Sequence, residues 1–361
     1  MHSFSLYKKI WNSSKNGVVV SYYPILLIIF RMKFRTEIQI EPSKRKIEHN
    51  DSIFTIGSCF AENVGEFFQK YKFKSMINPF GVLYNTASIK NAIEFTKNEK
   101  VFTIDDLVFH QSEWHSFYHH SDFSHHESEI ILQRINNKFK VVRSFLENVN
   151  WFIISLGTSF VYRHIEKDIL VSNCHKIPQG NFQKEFLSVQ ENVSYLSELI
   201  TLIREVNSNV SFVFTVSPVR HWRDGIHENQ LSKSSLHLAV NEAVNNFDNV
   251  YYFPSYEILI DELRDYRFYA KDMFHPSEET IKYIWEKFNE NYFSEDCQTL
   301  VGKIDKIIQA SNHKIRNPKS DLTRNFAKEH INHIRELEKI YPHINFADEL
   351  NKFSSLINEN E

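Results

Sequence analysis

The chain has 361 residues, enough for one large α/β domain with an appendage or for two domains. It carries 42 basic and 45 acidic side chains, a formal net charge of −3, so its composition gives no reason to expect nucleic acid or an anionic membrane as a partner. Three widely spaced cysteines, at positions 59, 174 and 297, are an odd number and argue against a disulfide scaffold.

The first 31 residues do not share the pattern of the rest of the chain. Residues 16–30 carry no charge, but this run is shorter than the roughly twenty residues of a spanning helix, and Pro24 interrupts it. No small residues follow as a signal-peptide cleavage site would require. We therefore predict that residues 1–31 are a leader outside the fold or an over-long start, with a marginal membrane anchor as the alternative. A membrane partner is not expected, and the predicted location is cytoplasmic.

A short apolar run at residues 53–56 leads into Gly57 and Ser58. Helical spacing begins within a few residues, at Val64, Phe67, Phe68 and Tyr71. The pattern predicts a sharp strand-to-helix turn that exposes the Ser58 hydroxyl beside the first N–H groups of a helix. The alternative is an ordinary N-cap serine.

Five histidines fall within twelve residues, at positions 115, 119, 120, 125 and 126. His115 and His119 have the i, i+4 spacing of helical zinc ligands, but no glutamate follows the first of them as in His-Glu-x-x-His. We predict structural or pocket-lining roles for these side chains and no metal site.

Apolar strands alternate with amphipathic helices through the middle of the chain. Continuous apolar runs at residues 151–156, 210–216 and 251–253 are typical of strands that are covered on both faces. Apolar residues at helical spacing lie between them near residues 193–203 and 236–247. This alternation predicts a parallel sheet with helices on both sides. Ser58, Gly157 and Ser217 should then lie at the carboxyl ends of strands, where such sheets place their chemistry.

Asp272 precedes His275 by three residues, just before a strongly periodic helix at residues 281–288. In this arrangement His275 can act as a general base, and Asp272 can fix the imidazole tautomer. The alternative is an aspartate that caps the turn beside a solvated histidine. Beyond residue 296, apolar residues at helical spacing predict a charged helical tail that packs on the core or on a partner.

Several motifs stand out along the chain: GSCFA at 57–61, NPFG at 78–81, LGTS at 156–159, NCHKIP at 173–178, VSPVRH at 216–221, and a block that runs from YFPSYEI at 252–258 to DMFH at 272–275. Together they resemble the GSCFA family, which is similar to SGNH/GDSL-type hydrolases. The resemblance covers about residues 32–293. It implies an α/β fold, a three-layer α/β/α sandwich with a central, mainly parallel, flavodoxin-like sheet, in a domain over residues 32–295 with a helical extension over 296–361.

Transferred to matching positions, the resemblance implies Ser58 as nucleophile, His275 as general base and Asp272 as the residue that orients it. It also implies an oxyanion hole built from Ser58, Gly81 and Ser159. Ser159 stands where the hydrolase pattern has asparagine, and a hydroxyl offers one proton where an amide offers two. Asn78, Asn85 or His175 could compensate. The candidate pocket residues are Asn78, Asn85, Gly157, Thr158, His175, Arg220 and His221.

The implied function is serine-dependent hydrolysis of a small-molecule or glycan ester without a cofactor, and an acetylated carbohydrate is the substrate suggested by analogy. Two alternatives stay open: acyl transfer by the same triad, and ligand binding without catalysis behind a degraded oxyanion hole. The sequence does not indicate an oligomeric state. The triad hypothesis predicts that His275 lies within hydrogen-bond reach of Ser58 Oγ, or a small rotamer change away from it.

Overall fold

The computed structural model describes residues 35–358, so the predicted leader at residues 1–31 lies outside the described range. The described residues from 37 onward form one compact unit. Within the described residues, no helix combines the length and the apolar character needed to cross a bilayer.

Ten strands occur in this range. They are β1 (Ser52–Gly57), β2 (Lys74–Ile77), β3 (Leu107–His110), β4 (Glu113–Ser116), β5 (Trp151–Leu156), β6 (Phe160–His164), β7 (Ile169–Val171), β8 (Phe182–Phe186), β9 (Ser211–Val216) and β10 (Val250–Tyr252).

The same range holds ten α-helices, a π-helical turn at Ile258–Leu263 and several short 3₁₀ turns. The α-helices are α1 (Cys59–Lys70), α2 (Thr86–Lys97), α3 (Ser128–Leu146), α4 (Val189–Val206), α5 (Ile226–Asn246), α6 (Ser255–Glu257), α7 (Glu278–Tyr292), α8 (Glu295–Ser311), α9 (Asp321–Ile340) and α10 (Ala347–Asn358).

Five strands form the central sheet, in the order β2-β1-β5-β9-β10, and every neighbouring pair is parallel. All residues of β1, β5 and β9 are buried, as expected for strands that are covered on both faces. If only these five strands are numbered in chain order, their order in the sheet is 2-1-3-4-5, which is the flavodoxin-like arrangement. The predicted fold class is confirmed.

The sheet separates two apolar cores. Alternate residues of β1 divide between them: Phe54 and Ile56 face the core built with α2–α5, and Ile53 faces the core built with α1 and α7. The predicted C-terminal helices are present as α8–α10, and they extend this second core with buried apolar side chains. Ile304, Ile307, Ile331, Ile334 and Phe353 are among them, and Phe346, directly before α10, is buried in the same core.

Two small antiparallel sheets, which the sequence pattern did not predict, lie in the connections. Strands β3 and β4 form a hairpin, and β6 pairs with β7 and β8. The chain adds β2 on one side of β1 and then adds β5, β9 and β10 on the other side, so the strand order reverses between β1 and β5. In parallel sheets of this kind, ligands bind in the crevice at this switch point. Ser58 and Gly157 directly follow these two strands.

Candidate active site

The turn between β1 and α1 requires glycine at position 57. Gly57 has φ +136°, and a β-carbon there would lie 2.1 Å from the carbonyl oxygen of Ser155. No residue with a side chain fits this close approach to β5. The turn therefore holds Ser58 directly against the neighbouring strand at the switch point.

The hydroxyl of Ser58 does not serve as a helix cap. Ser58 occupies the N-cap position of α1, but its side chain makes no capping hydrogen bond. Its Oγ instead lies 2.9 Å from Oγ of Ser155 on β5, and the residue is only 1% exposed. Ser155 lies outside the sequence motifs, so the sequence offered no reason to predict it as a site residue.

Cys59, the other nucleophilic side chain of this turn, is in a less reactive state. Burial raises the pKa of the Cys59 thiol, although the backbone N–H groups of Cys59 and Phe60 partly oppose the shift. Because the thiolate is the nucleophilic form, this shift makes Cys59 less reactive than an ordinary cysteine. Ser58 is the better candidate.

Asp272 and His275 are joined by a side-chain hydrogen bond. Asp272 Oδ2 lies 2.7 Å from His275 Nδ1, and Oδ1 accepts the backbone N–H groups of Phe274 (2.9 Å) and His275 (3.0 Å). The Phe274 N–H, followed by the His275 side chain, lowers the pKa of Asp272 to about 2, so the carboxylate stays ionised. An ionised partner at Nδ1 holds the proton there and leaves Nε2 as the free acceptor.

Within residues 35–358, no hydrogen bond joins Ser58 to His275. The His275 side chain is 49% exposed, whereas Ser58 is buried. One contact joins the loop at 270–276 to the connection between β9 and α5, and a second joins that connection to the end of β5. The Phe274 ring packs on Trp222 with 5.3 Å between centroids, and Nε2 of the nearby His221 lies 3.3 Å from the β-carbon position of Gly157. The predicted contact between Ser58 and His275 stays a prediction.

All three groups predicted to hold an oxyanion make hydrogen bonds inside the chain. Ser58 N–H donates to Ser155 O at 2.9 Å, and Gly81 N–H donates to Asn78 O at 2.8 Å. The hydroxyl of Ser159, which is fully buried, donates to Ser232 O at 3.0 Å. An oxyanion would have to displace these bonds or use other donors.

Thr158 and Ser159 both turn towards α5. Thr158 Oγ1 lies 3.1 Å from Ser232 Oγ, and that same Oγ accepts Ser159 N–H at 2.7 Å. Asn192 on α4 adds a hydrogen bond to Ser159 Oγ at 3.2 Å. These contacts fix the β5–β6 connection to two helices, so both side chains support the loop of Gly157.

Asn78 places a hydrogen-bond donor that has no partner in the described range beside the Gly57–Ser58 turn. Its Oδ1 accepts Gly57 N–H at 2.9 Å, while its Nδ2 is buried and has no hydrogen-bond partner within the described residues. Asn85 differs, because its Oδ1 accepts Ser88 N–H at 2.8 Å and caps α2. Of the two asparagines, Asn78 is the one in contact with the Gly57–Ser58 turn.

Lys233 is a buried cation at the carboxyl ends of two strands. Its Nζ donates to Gly157 O at 2.7 Å and to Ser217 O at 2.6 Å, and the residue is 0% exposed. Burial, with a smaller effect of Arg220, lowers the pKa of Lys233 to about 7. Sequence reasoning missed Lys233, although it precedes Leu236 and Val240 by three and seven residues and so falls on the buried stripe of the helix.

The remaining pocket candidates separate into two places. His221 packs edge-on against Tyr84, and burial lowers the pKa of His221 to about 4. Arg220 lies beside it on the β9–α5 connection. His175 instead contacts β4: its Nε2 lies 2.7 Å from Ser116 O. Burial lowers the pKa of His175 to about 4, so the imidazole is neutral at pH 7.

The histidine-rich segment forms a hairpin and a turn. His115 lies on β4, where Nδ1 contacts Ser124 Oγ at 2.7 Å, so the helical zinc spacing with His119 is absent. His119 is fully buried, and burial lowers its pKa to about 3. One group, His125, His126 and Glu127, has its ligand atoms within 4.8 Å of one another on the surface.

Comparison with known proteins gave two family matches and several structural matches. Residues 52–288 match the model of the GSCFA family, and residues 304–359 match the model of the GSCFA domain protein, C-terminal domain. No curated protein gives a significant match. A Clostridium thermocellum family 3 carbohydrate esterase is similar at 18% identity and a TM-score of 0.26, over 42% of this chain and 61% of the esterase chain.

Proposed function

The chain belongs to the GSCFA family, and we propose that it is a serine-dependent hydrolase of ester bonds. The observation that carries the proposal is the Asp272–His275 pair, whose 2.7 Å contact at Nδ1 leaves Nε2 free to accept a proton. Ser58 supplies the hydroxyl, on a glycine-dependent turn at the start of a helix. These are the parts of a nucleophile and general base on an α/β sheet.

The proposed reaction follows from the roles of these three side chains. Ser58 Oγ attacks the ester carbonyl carbon as its proton passes to His275 Nε2, and Asp272 stabilises the imidazolium. Collapse of the tetrahedral intermediate breaks the bond to the leaving alcohol, which takes the proton from His275. Water then attacks the acyl-enzyme and releases the carboxylic acid. A sugar hydroxyl in place of water would turn the same steps into acyl transfer.

His275 must approach Ser58 for the first step. The buried hydroxyl is bonded to Ser155, and the half-exposed imidazole sits on a loop. Catalytic hydrogen bonds are often longer without substrate and tighten in the Michaelis complex. We therefore propose that substrate binding replaces the Ser58–Ser155 hydrogen bond with a hydrogen bond between Ser58 and His275.

We further propose that Asn78 donates to the oxyanion. Its Nδ2 is a buried donor without a partner within the described residues, and its Oδ1 is fixed to the turn by Gly57 N–H. A fixed amide next to the nucleophile can stabilise charge that develops on the carbonyl oxygen. In this proposal Asn78 takes the part that the hydrolase pattern gives to an asparagine at position 159.

One observation favours a second candidate, a ligand-binding protein without catalysis. The N–H groups of Ser58 and Gly81 and the hydroxyl of Ser159 are all engaged with carbonyl oxygens. If no oxyanion donor becomes free, the pocket could bind a polar ligand without cleaving it.

A hydrolysis panel distinguishes the two candidates. Wild-type protein is assayed on p-nitrophenyl esters of increasing acyl length and on acetylated monosaccharides. The hydrolase proposal expects turnover of at least one ester, and Ser58→Ala should reduce it to the background rate. Ser217→Ala, which changes another buried serine at a strand end, is the matched control and should keep activity. Absence of turnover across the panel would favour the binding protein.

A further inference from the structure

A cavity of about 400 Å³ opens beside the Asp272–His275 loop. Met273 and Phe274, which lie between the aspartate and the histidine, form part of its wall, and His221 forms another part. A molecule in this cavity would therefore contact the same loop that carries the proposed base.

Two arginines in the wall have no anionic partner among the described residues. Arg220 and Arg264 both line the cavity, and within residues 35–358 neither guanidinium forms an ion pair. Asp265, the acidic residue in the wall, is engaged elsewhere: it accepts Arg267 N–H at 2.9 Å and lies 3.6 Å from Arg267 Nε. Guanidinium groups bind carboxylates and phosphates through paired hydrogen bonds. The cavity therefore has positive charge available for a ligand.

An unsatisfied amide is the second sign of a ligand. Asn229, on the first turn of α5, lines the cavity and is only 2% exposed. Both polar atoms of its side chain are buried and have no hydrogen-bond partner within the described residues. Buried polar groups in native proteins are nearly always paired, so an amide with both atoms unpaired marks a place for a polar molecule.

Aromatic rings complete the wall. Trp222 is 45% exposed and Tyr266 is 73% exposed, and both line the cavity. Exposed aromatic side chains around a cavity with a few polar groups are typical of small-molecule sites. The flat, C–H-rich face of a sugar ring is well suited to pack on them.

We propose that this cavity binds an anionic sugar residue. Its carboxylate or phosphate contacts Arg220 and Arg264, a hydroxyl pairs with the Asn229 amide, and the ring packs on Trp222 and Tyr266. As a substrate subsite, the cavity rests on the proposed function, since it would present an ester on that sugar to Ser58. As a binding site, it stands independently of catalysis.

The test uses the full chain with Ser58→Ala, so that no turnover interferes. Methyl β-D-glucuronide, glucose 6-phosphate and methyl β-D-glucoside are titrated in turn by calorimetry. We expect at least one anionic probe to bind about tenfold or more tightly than the neutral glucoside. The two anionic probes separate carboxylate from phosphate recognition. Equal affinity for all three, or no binding at millimolar concentration, would overturn the proposal.

Three further substitutions in this background locate the site. Arg264→Gln should weaken the anionic probe about tenfold, and Arg223→Gln, an exposed arginine outside the cavity, should not. Asn229→Leu should raise the melting temperature of the free protein, because it removes an unpaired buried amide, and should weaken sugar binding. Unchanged binding in both Arg264→Gln and Asn229→Leu would overturn the assignment. Because the readout is binding, its failure is distinguishable from an absence of esterase activity.

Discussion

The proposed nucleophile and its proposed base occupy different environments in this protein. Ser58 is held in the interior by Ser155, while the imidazole of His275 is half exposed. Asp272 makes two kinds of contact. Its Oδ1 accepts two backbone N–H groups of its own turn, and its Oδ2 contacts Nδ1 of His275, where it favours one imidazole tautomer. The predicted effect of each residue follows from which of these contacts it makes.

Replacing Asp272 should reduce catalysis and leave folding nearly unchanged. In Asp272→Asn, the amide favours the wrong imidazole tautomer, and we expect kcat on a cleaved ester to fall about 10⁴-fold. Stability should change little because the pair is half exposed. Asp122→Asn is the matched control, since its carboxylate lies 3.0 Å from Nδ1 of His120 in a separate pair. A loss of less than tenfold in steady-state kcat for Asp272→Asn would contradict the assignment.

Asn78→Asp tests the oxyanion proposal without removing the structural contact. The carboxylate can still accept Gly57 N–H, and aspartate tolerates the positive φ of position 78, but the donor is lost. We expect kcat to fall about 10²–10³-fold with little change in KM. Asn85→Asp keeps a good N-cap on α2 and should retain wild-type kinetics. Equal kinetics for the two variants would exclude Asn78 as the donor.

Candidate site residues that stand in short sequence motifs could be predicted from the sequence. Residues that contact the site from a distant part of the chain could not. Ser58, Asp272 and His275 stand in short segments with characteristic spacing. Ser155 is one small residue in an apolar strand, and the charge of Lys233 predicts an exposed residue. Both residues reach the site only through contacts between segments that are far apart in the sequence, and the spacing of residues within one segment does not predict such contacts.

At the scale of elements, α5 connects the ends of two strands. The ammonium of Lys233 joins Gly157 O at the end of β5 to Ser217 O at the end of β9. This contact holds together the two connections that carry His221 and Thr158. A cation buried in this way should make stability depend on pH.

Lys233→Met should reveal that dependence. The ordinary pKa of lysine is 10.5, and in the folded protein the pKa of Lys233 is about 7. Between these values the unfolded chain binds more protons at this side chain, so the free energy of unfolding of the wild type rises with pH, by up to about 1.4 kcal/mol per unit. Below pH 7 the cost of burying the charged form is fully present.

The measurement is the difference in unfolding free energy between wild type and variant, by urea denaturation at pH 7 and 9. We expect the advantage of the wild type to increase by about 2 kcal/mol over this interval. Lys303→Met, at an exposed position on α8, should show a difference that does not vary with pH. A constant difference for Lys233→Met would contradict a lowered lysine pKa.

The central strands were predictable because their burial on both faces produces continuous apolar runs. This holds for β1, β5 and β9. The edge strand β2 is partly exposed and reads Lys-Ser-Met-Ile, which carries no such run. Strands β6–β8 are short, and most of their residues are half-buried or exposed, so their pairing depends on the surrounding structure.

At the scale of the whole molecule, the C-terminal helices belong to the core. A chain that ends at Phe293 would lose the buried apolar side chains of the C-terminal segment, among them Ile304, Ile307, Ile331, Ile334, Phe346 and Phe353. Each such loss costs about 1.5–3 kcal/mol, and together they rival the total stability of an ordinary domain. We expect this truncation to aggregate or to unfold. A chain that begins at Met32 should match the melting temperature of the full chain, whereas a soluble, equally stable C-terminal truncation would contradict the account.

The central claim is that Ser58 is an activated nucleophile, and covalent labelling tests it most directly. Wild-type protein is incubated with a fluorophosphonate probe, weighed intact and mapped by peptide mass spectrometry. We expect one adduct per chain, located on Ser58, absent from Ser58→Ala and retained in Ser217→Ala. Failure to label under excess probe, or an adduct on a different serine, would contradict the claim.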